Sequence, residues 1–335
     1  MRVSLVSFVF ALSLMFSPWL AAESTAPTTV SITEWPVPWS DSRPRDPYLA
    51  PDGKVWFVGQ GGDYAAWFDP KTESFGKVDL APGTGPHNII VDGDGNGWYA
   101  GNRNAHIGRI DASNHQITQL PTPTPEAKDP HTLHFAGNGI IWFTAQWGNH
   151  IGQLNINDGT VRTLGLSTER ARPYGIKLDT DGNAWVALLG TNQLARVDAQ
   201  DFTLQEIDLP RSEARPRRVA VTNGHDIWYV DYNQGYLGRY NTNSQTFSEW
   251  RAPGADKSGP YAVAADRFGR VWFVETWQQP NRLVGFDPDS EQFFSTTDIP
   301  SGGGTVRHMY YDADSHSLWF GTDTNQLGQA HLPRP

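Results

Sequence analysis

The stretch Asn88-Ile89-Ile90-Val91-Asp92-Gly93-Asp94-Gly95-Asn96-Gly97-Trp98-Tyr99-Ala100 reads as two short strands joined by an Asp-Gly turn. His106-Ile107-Gly108-Arg109-Ile110 supplies a third strand, and Gln116-Ile117-Thr118-Gln119-Leu120 a fourth. The Trp of the second strand then returns through the chain at Trp56, Trp98, Trp142, Trp185, Trp228, Trp272 and Trp319, in steps of 42, 44, 43, 43, 44 and 47 residues. A period of about 40 to 45 residues with four strands per unit marks a propeller blade. Seven copies predict an all-β, seven-bladed β-propeller.

The ends of the chain extend this reading. Ile32-Thr33-Glu34-Trp35-Pro36 resembles the outer strands Ile117-Thr118-Gln119-Leu120-Pro121 and Phe247-Ser248-Glu249-Trp250, yet it precedes every blade, while the seventh unit stops after its third strand. The N-terminal strand is therefore expected to close the last blade, which removes an exposed sheet edge. The third strands repeat a Gly, as in Ile151-Gly152, Leu237-Gly238 and Leu327-Gly328. It is expected to allow close backbone approach. A seven-bladed ring is one closed unit, so residues 23–335 are expected to form a single domain.

Residues 1–22 differ from the rest. Arg2 is followed by an apolar stretch from Val3 to Phe16 and by Ala21-Ala22 before Glu23. This is the layout of a secretory signal peptide cleaved after Ala22, and the stretch is short for a bilayer span. No later segment could cross a membrane as an apolar helix. The chain has no Cys, which rules out thiolate metal ligands and Cys nucleophiles and suits an oxidising compartment. A periplasmic or secreted monomer is expected. The formal net charge of −10 argues against a nucleic-acid partner.

In a propeller, the loop entering each first strand and the loop joining the second and third strands emerge on one face. The entering loops read Pro47-Tyr48, Pro86-His87, Pro130-His131, Pro173-Tyr174, Pro216-Arg217, Pro260-Tyr261 and Val306-Arg307-His308. Proline restricts the chain on either side of it, so the residue after each Pro is aimed from an equivalent place near the axis. The other loops on this face carry Trp147 and Trp277. Tyr48, Trp147, Tyr174, Arg217, Tyr261, Trp277, Arg307 and His308 are thus candidates to bind a small molecule or cyclic peptide. Convergent polar groups among aromatics are the usual form of such a site.

The repeated Pro-His-x-Ile, Asp-Gly-x-x-Trp-Phe and Asn-x-Ile-Gly-Arg-Ile-Asp patterns resemble the streptogramin lyase family, the virginiamycin B lyase-like propellers, along essentially the whole mature chain. The resemblance implies a carbon–oxygen lyase that opens a cyclic depsipeptide at its ester by Mg²⁺-dependent elimination. It implies His131 as general base, His87 as its partner in substrate orientation, and Asp129 or Glu275 as ligands for Mg²⁺. His87 and Asp129-Pro130-His131 match the family's paired motifs in adjacent blades, but Ala145 stands three residues after Trp142 where the family places a Glu. Of the sixth and seventh blades, only the sixth has an acid at that position, Glu275. The alternative is a non-catalytic periplasmic binding or scaffold propeller, since this fold serves both purposes. A lactonase-like enzyme is a weaker third reading, because seven units stand against the six blades of that fold.

Overall fold

A computed structural model describes residues 28–334. The expected signal peptide lies outside the described residues. The chain forms seven four-stranded antiparallel sheets, and among the described residues the only helical element is the short 3-10 turn Ala255–Lys257. The inner strands touch in succession around the axis. That of the seventh blade (Met309–Asp312) contacts that of the first (Pro44–Leu49), so the ring closes.

The N-terminal strand Ser31–Pro36 pairs antiparallel with the third strand of blade 7, Gln326–His331, with Ile32 opposite Ala330 and Trp35 opposite Leu327. Trp35 stacks on Trp319 at 5.6 Å and packs against Phe68 of blade 1 at 4.8 Å. The expected closure is present. It covers the edge of the last sheet and clamps the first blade against the seventh.

Each repeated Trp has a local reason. The indoles lie buried between sheets, from 0% to 5% exposed. An indole N–H in such a place needs an acceptor. In blades 2, 4 and 6 that acceptor is the Asp six residues earlier: Asp92 to Trp98 at 2.8 Å, Asp179 to Trp185 at 2.9 Å and Asp266 to Trp272 at 3.1 Å. The same Asp accepts backbone N–H groups of its own turn, as Asp92 does from Asp94 and Asn96. The turn and the core Trp are therefore built as one unit.

The third-strand glycines work differently from the expectation. Gly108, Gly152, Gly238 and Gly328 lie directly opposite Tyr99, Phe143, Tyr229 and Phe320. A Cβ at any of the four would collide with that ring. The Gly makes room for an aromatic side chain rather than for a neighbouring backbone.

Candidate functional site

The inner strands decide what faces the axis. In blades 2 to 6 the pairing of the first and second strands shifts register immediately after the Pro, between Pro86 and Ile89, Pro130 and Leu133, Pro173 and Ile176, Pro216 and Val219, and Pro260 and Val263. Such a bulge leaves residues unpaired and re-aims their side chains. Two consecutive residues per blade are thereby turned toward the channel.

Blade 1 departs from the expected register. Tyr48, not an upper-rim residue, pairs with Trp56, as Ile90 pairs with Trp98 and Tyr310 with Trp319. The bulge in blade 1 lies between Arg45 and Tyr48, which makes Arg45 the counterpart of His87 and puts Tyr48 at the opposite end of the channel against Tyr310, at 4.7 Å. The chain carries both Pro44 and Pro47. Only Pro44 stands 12 residues before its Trp, as Pro86 stands before Trp98. That interval is the signal that would have selected Arg45.

The upper ring is consequently Arg45, His87, His131, Tyr174, Arg217, Tyr261 and Arg307. The His87 and His131 ring centroids lie 3.4 Å apart with the planes tilted by 38°, and the Tyr174 ring lies 4.1 Å from that of His131. The Tyr174 and Tyr261 hydroxyls share a hydrogen bond of 2.5 Å. The Arg217 guanidinium lies 4.0 Å from the Tyr232 ring and 4.9 Å from that of Tyr261. Arg307 pairs with Asp323, and Arg45 donates to Gln60 at 2.8 Å. Both partners come from loops between second and third strands, so the two sets of loops do share this face.

A second ring sits one residue deeper. Asp46, with φ 47°, holds the left-handed conformation that Asp tolerates better than most residues. It accepts from Asn88 at 2.9 Å and from Arg218 at 3.0 Å. Arg218 also donates to Thr132 Oγ1 at 3.3 Å and to the Arg307 carbonyl at 3.1 Å. In the adjacent blade, a Cβ at Gly175 would meet Arg218 Cα at 2.7 Å, so only Gly leaves the Arg218 chain its place. His308 belongs to this deeper level, one step below the rim where the sequence suggested it.

This arrangement sets the protonation states. Burial first, then the Arg45 charge for His87 and the Arg218 charge for His131, hold both imidazoles well below the ordinary histidine range. Burial pulls His308 down to about 3. Burial would raise the Asp46 carboxyl, but Arg218, His308, Arg45 and Asn88 keep it far below the ordinary carboxylate range. Burial would also raise the Tyr174 hydroxyl, yet the Arg45 and Arg218 guanidiniums bring it below the ordinary tyrosine value, while burial raises that of Tyr261. Thr132 Oγ1, which accepts from Arg218, lies 2.9 Å from His131 Nδ1. His131 Nε2 has no partner among the described residues.

The two candidate Mg²⁺ ligands lie elsewhere. Asp129 accepts the backbone N–H groups of Trp147 at 2.6 Å and Gly148 at 2.9 Å, one on each oxygen. Burial raises its pKa, opposed by those two N–H groups. Glu275 accepts Gly254 N–H at 2.5 Å and pairs with Arg282, with Nε at 2.9 Å. Among the described residues, no group of three or more His, Asp or Glu is arranged to hold a metal. Mg²⁺ wants hard oxygen donors, and both of these carboxylates are engaged in holding loops together. The residues present do not fit the ion that the resemblance implied.

Trp147 and Trp277 are on the expected rim and are 59% and 43% exposed. Arg172 lies 4.3 Å over the Trp147 ring beside a cavity of about 350 Å³, and Trp277 packs edge-on against Tyr232 at 5.1 Å. His106 and His150 serve structure, bonding Tyr99 at 3.1 Å and the Gly148 carbonyl at 2.7 Å.

The Virginiamycin B lyase family profile matches residues 29–330. The chain belongs to the virginiamycin B lyase family. Among solved structures, a streptogramin B lyase is 24% identical and superposes with a TM-score of 0.82, covering 92% of this chain and 100% of its own. Virginiamycin B lyase from Staphylococcus aureus is 22% identical with a TM-score of 0.82, covering 91% and 100%. A catalytically inactive histidine-to-alanine variant of that enzyme, with quinupristin, is 21% identical with the same TM-score and coverage. At these identities the likeness shows the fold. A search of the curated proteins finds no match.

Proposed function

We propose that this member of the virginiamycin B lyase family is a carbon–oxygen lyase that opens an ester, in a cyclic depsipeptide or a related compound, by elimination at the upper mouth of the channel. The observation that carries the reading is the adjacent, neutral His87–His131 pair set among arginines. A neutral imidazole is suited to taking a proton near pH 7. His131 Nε2, which has no partner among the described residues, takes the proton from the acidic carbon, and His87 hydrogen-bonds the carbonyl beside it. The C–H electron pair forms the new double bond, the C–O bond breaks, and the carboxylate that leaves is met by Arg217. No step is routed through a metal, since Asp129 and Glu275 are committed to loop contacts.

The test is turnover of a streptogramin B-type depsipeptide by the mature chain, followed by mass. Elimination opens the ring with mass unchanged, whereas hydrolysis adds one water. Turnover is expected to survive EDTA. A ligand-binding propeller without catalysis is favoured by one observation, the exposed Trp147 stacked under Arg172 beside an open cavity. Saturable quenching of Trp fluorescence without any product would establish that reading instead.

A further inference from the structure

We propose that the upper mouth is a built oxyanion site, and that the natural substrate carries a permanent anionic group, a carboxylate or a phosphate, in addition to the bond that is broken. As a statement about the substrate this rests on the lyase reading; as a binding site it stands without it.

Positive charge exceeds negative charge at the upper mouth. Arg45, Arg217, Arg218 and Arg307 converge on the mouth, and the carboxylates paired with them are Asp46 and Asp323. Asp46 is committed to Arg218 at 3.0 Å and stands 3.9 Å from Arg45 Nε, while Asp323 is shared between Arg307 and Arg43. Arg45 is only 6% exposed, yet among the described residues its Nε and Nη2 have no hydrogen-bond partner, and Arg217 Nε has none either. His87 Nδ1 and His131 Nε2, in side chains 6% and 1% exposed, are likewise unpartnered. Buried guanidinium N–H groups without acceptors are costly, and the neutral imidazoles beside them add no negative charge. Planar guanidinium forks match the two oxygens of a carboxylate or phosphate. The chain as a whole carries −10, so this concentration of positive charge is local to the channel and does not reflect a basic protein.

The test is calorimetric titration of the mature chain, at low ionic strength, with inorganic phosphate and separately with succinate, alongside melting curves in each. Saturable binding of one ion per chain is expected, with a rise in Tm that requires no variant. Arg45→Gln and Arg217→Gln should each weaken binding about tenfold or more, the usual size of a lost hydrogen bond to a charged group. Preference for phosphate identifies a phosphorylated substrate, and preference for succinate a carboxylate. The absence of saturable binding by both ions, or binding unchanged in the double variant, overturns the site. Anion binding without depsipeptide turnover keeps the site and removes the lyase reading. Turnover of an uncharged ester unaffected by either anion, with neither ion bound, does the reverse.

Discussion

The two ends of the channel are made by the same seven strands, three residues apart, and differ in chemistry. At the upper mouth the register position after the Pro gives Arg45, His87, His131, Tyr174, Arg217, Tyr261 and Arg307. At the lower mouth the position facing the Trp gives Tyr48, Ile90, His134, Lys177, Ala220, Ala264 and Tyr310. In blades 2 to 6 the upper residues fall in the bulge, where the ladder is interrupted and side chains are re-aimed, while Arg45 flanks the bulge of blade 1 and Arg307 precedes the inner strand of blade 7. The lower ones sit in regular pairing, around a cavity of about 250 Å³ bordered by Lys177, Met309 and Tyr310. Repetition places side chains at both ends, and the bulge decides which end gathers polar groups.

The sharpest way to break the comparison is to break the frame both mouths share. Deleting Val30–Pro38 removes the closing strand and the Trp35 contacts with Trp319 and Phe68. The loss should exceed that of one large core truncation, about 3–5 kcal/mol. Denaturant melts of the mature and shortened chains check it, and equal midpoints would sink the closure argument.

Next is the layer between the mouths. Asp46→Asn leaves Arg218 and Arg45 without their carboxylate, and breaking a buried pair in this way costs about 3–5 kcal/mol. Chemical denaturation measures it. A change below about 1 kcal/mol would mean that the deeper ring does not depend on this pair.

The functional asymmetry is tested by a pair of histidines on one strand. His131→Ala should lower turnover roughly 10²- to 10⁴-fold, whereas His134→Ala, three residues along at the lower mouth, should leave kcat/KM near that of the parent. Equal losses from both would show that the mouths are not functionally distinct.

The smallest effect is on pH. Burial holds His134 and His308 at about 3, below the ordinary value of 6.5. In that window the unfolded chain binds protons that the folded chain refuses, so the stability is fully present above about pH 6.5 and is lost as pH falls toward 3. Both rings are partly accessible, so each contributes less than about 1 kcal/mol per pH unit. His134→Gln should make the fall in melting temperature between pH 7 and pH 4 shallower. An unchanged slope would remove His134 from the account.

Sequence alone determined the periodic frame: the spacing of the seven Trp, the Asp-Gly turns and the stray outer strand at Ile32–Trp35 specify seven closed blades, because each signal is local and repeats with a known period. It also placed His87, His131, Tyr174, Arg217, Tyr261 and Arg307 on one rim, through the Pro that precedes most of them. Tertiary structure decided the rest. Strand pairing chose Pro44 over Pro47 and so exchanged Tyr48 for Arg45, a choice that depends on which residue lies opposite Trp56. Packing across the axis joined Arg218 to Asp46, 172 positions apart in the chain, and the loops took up Asp129 and Glu275 as internal acceptors. Whether a carboxylate is free for a metal or already holds a loop depends on which N–H groups the fold brings within about 3 Å of it, and residue type and spacing do not record that distance.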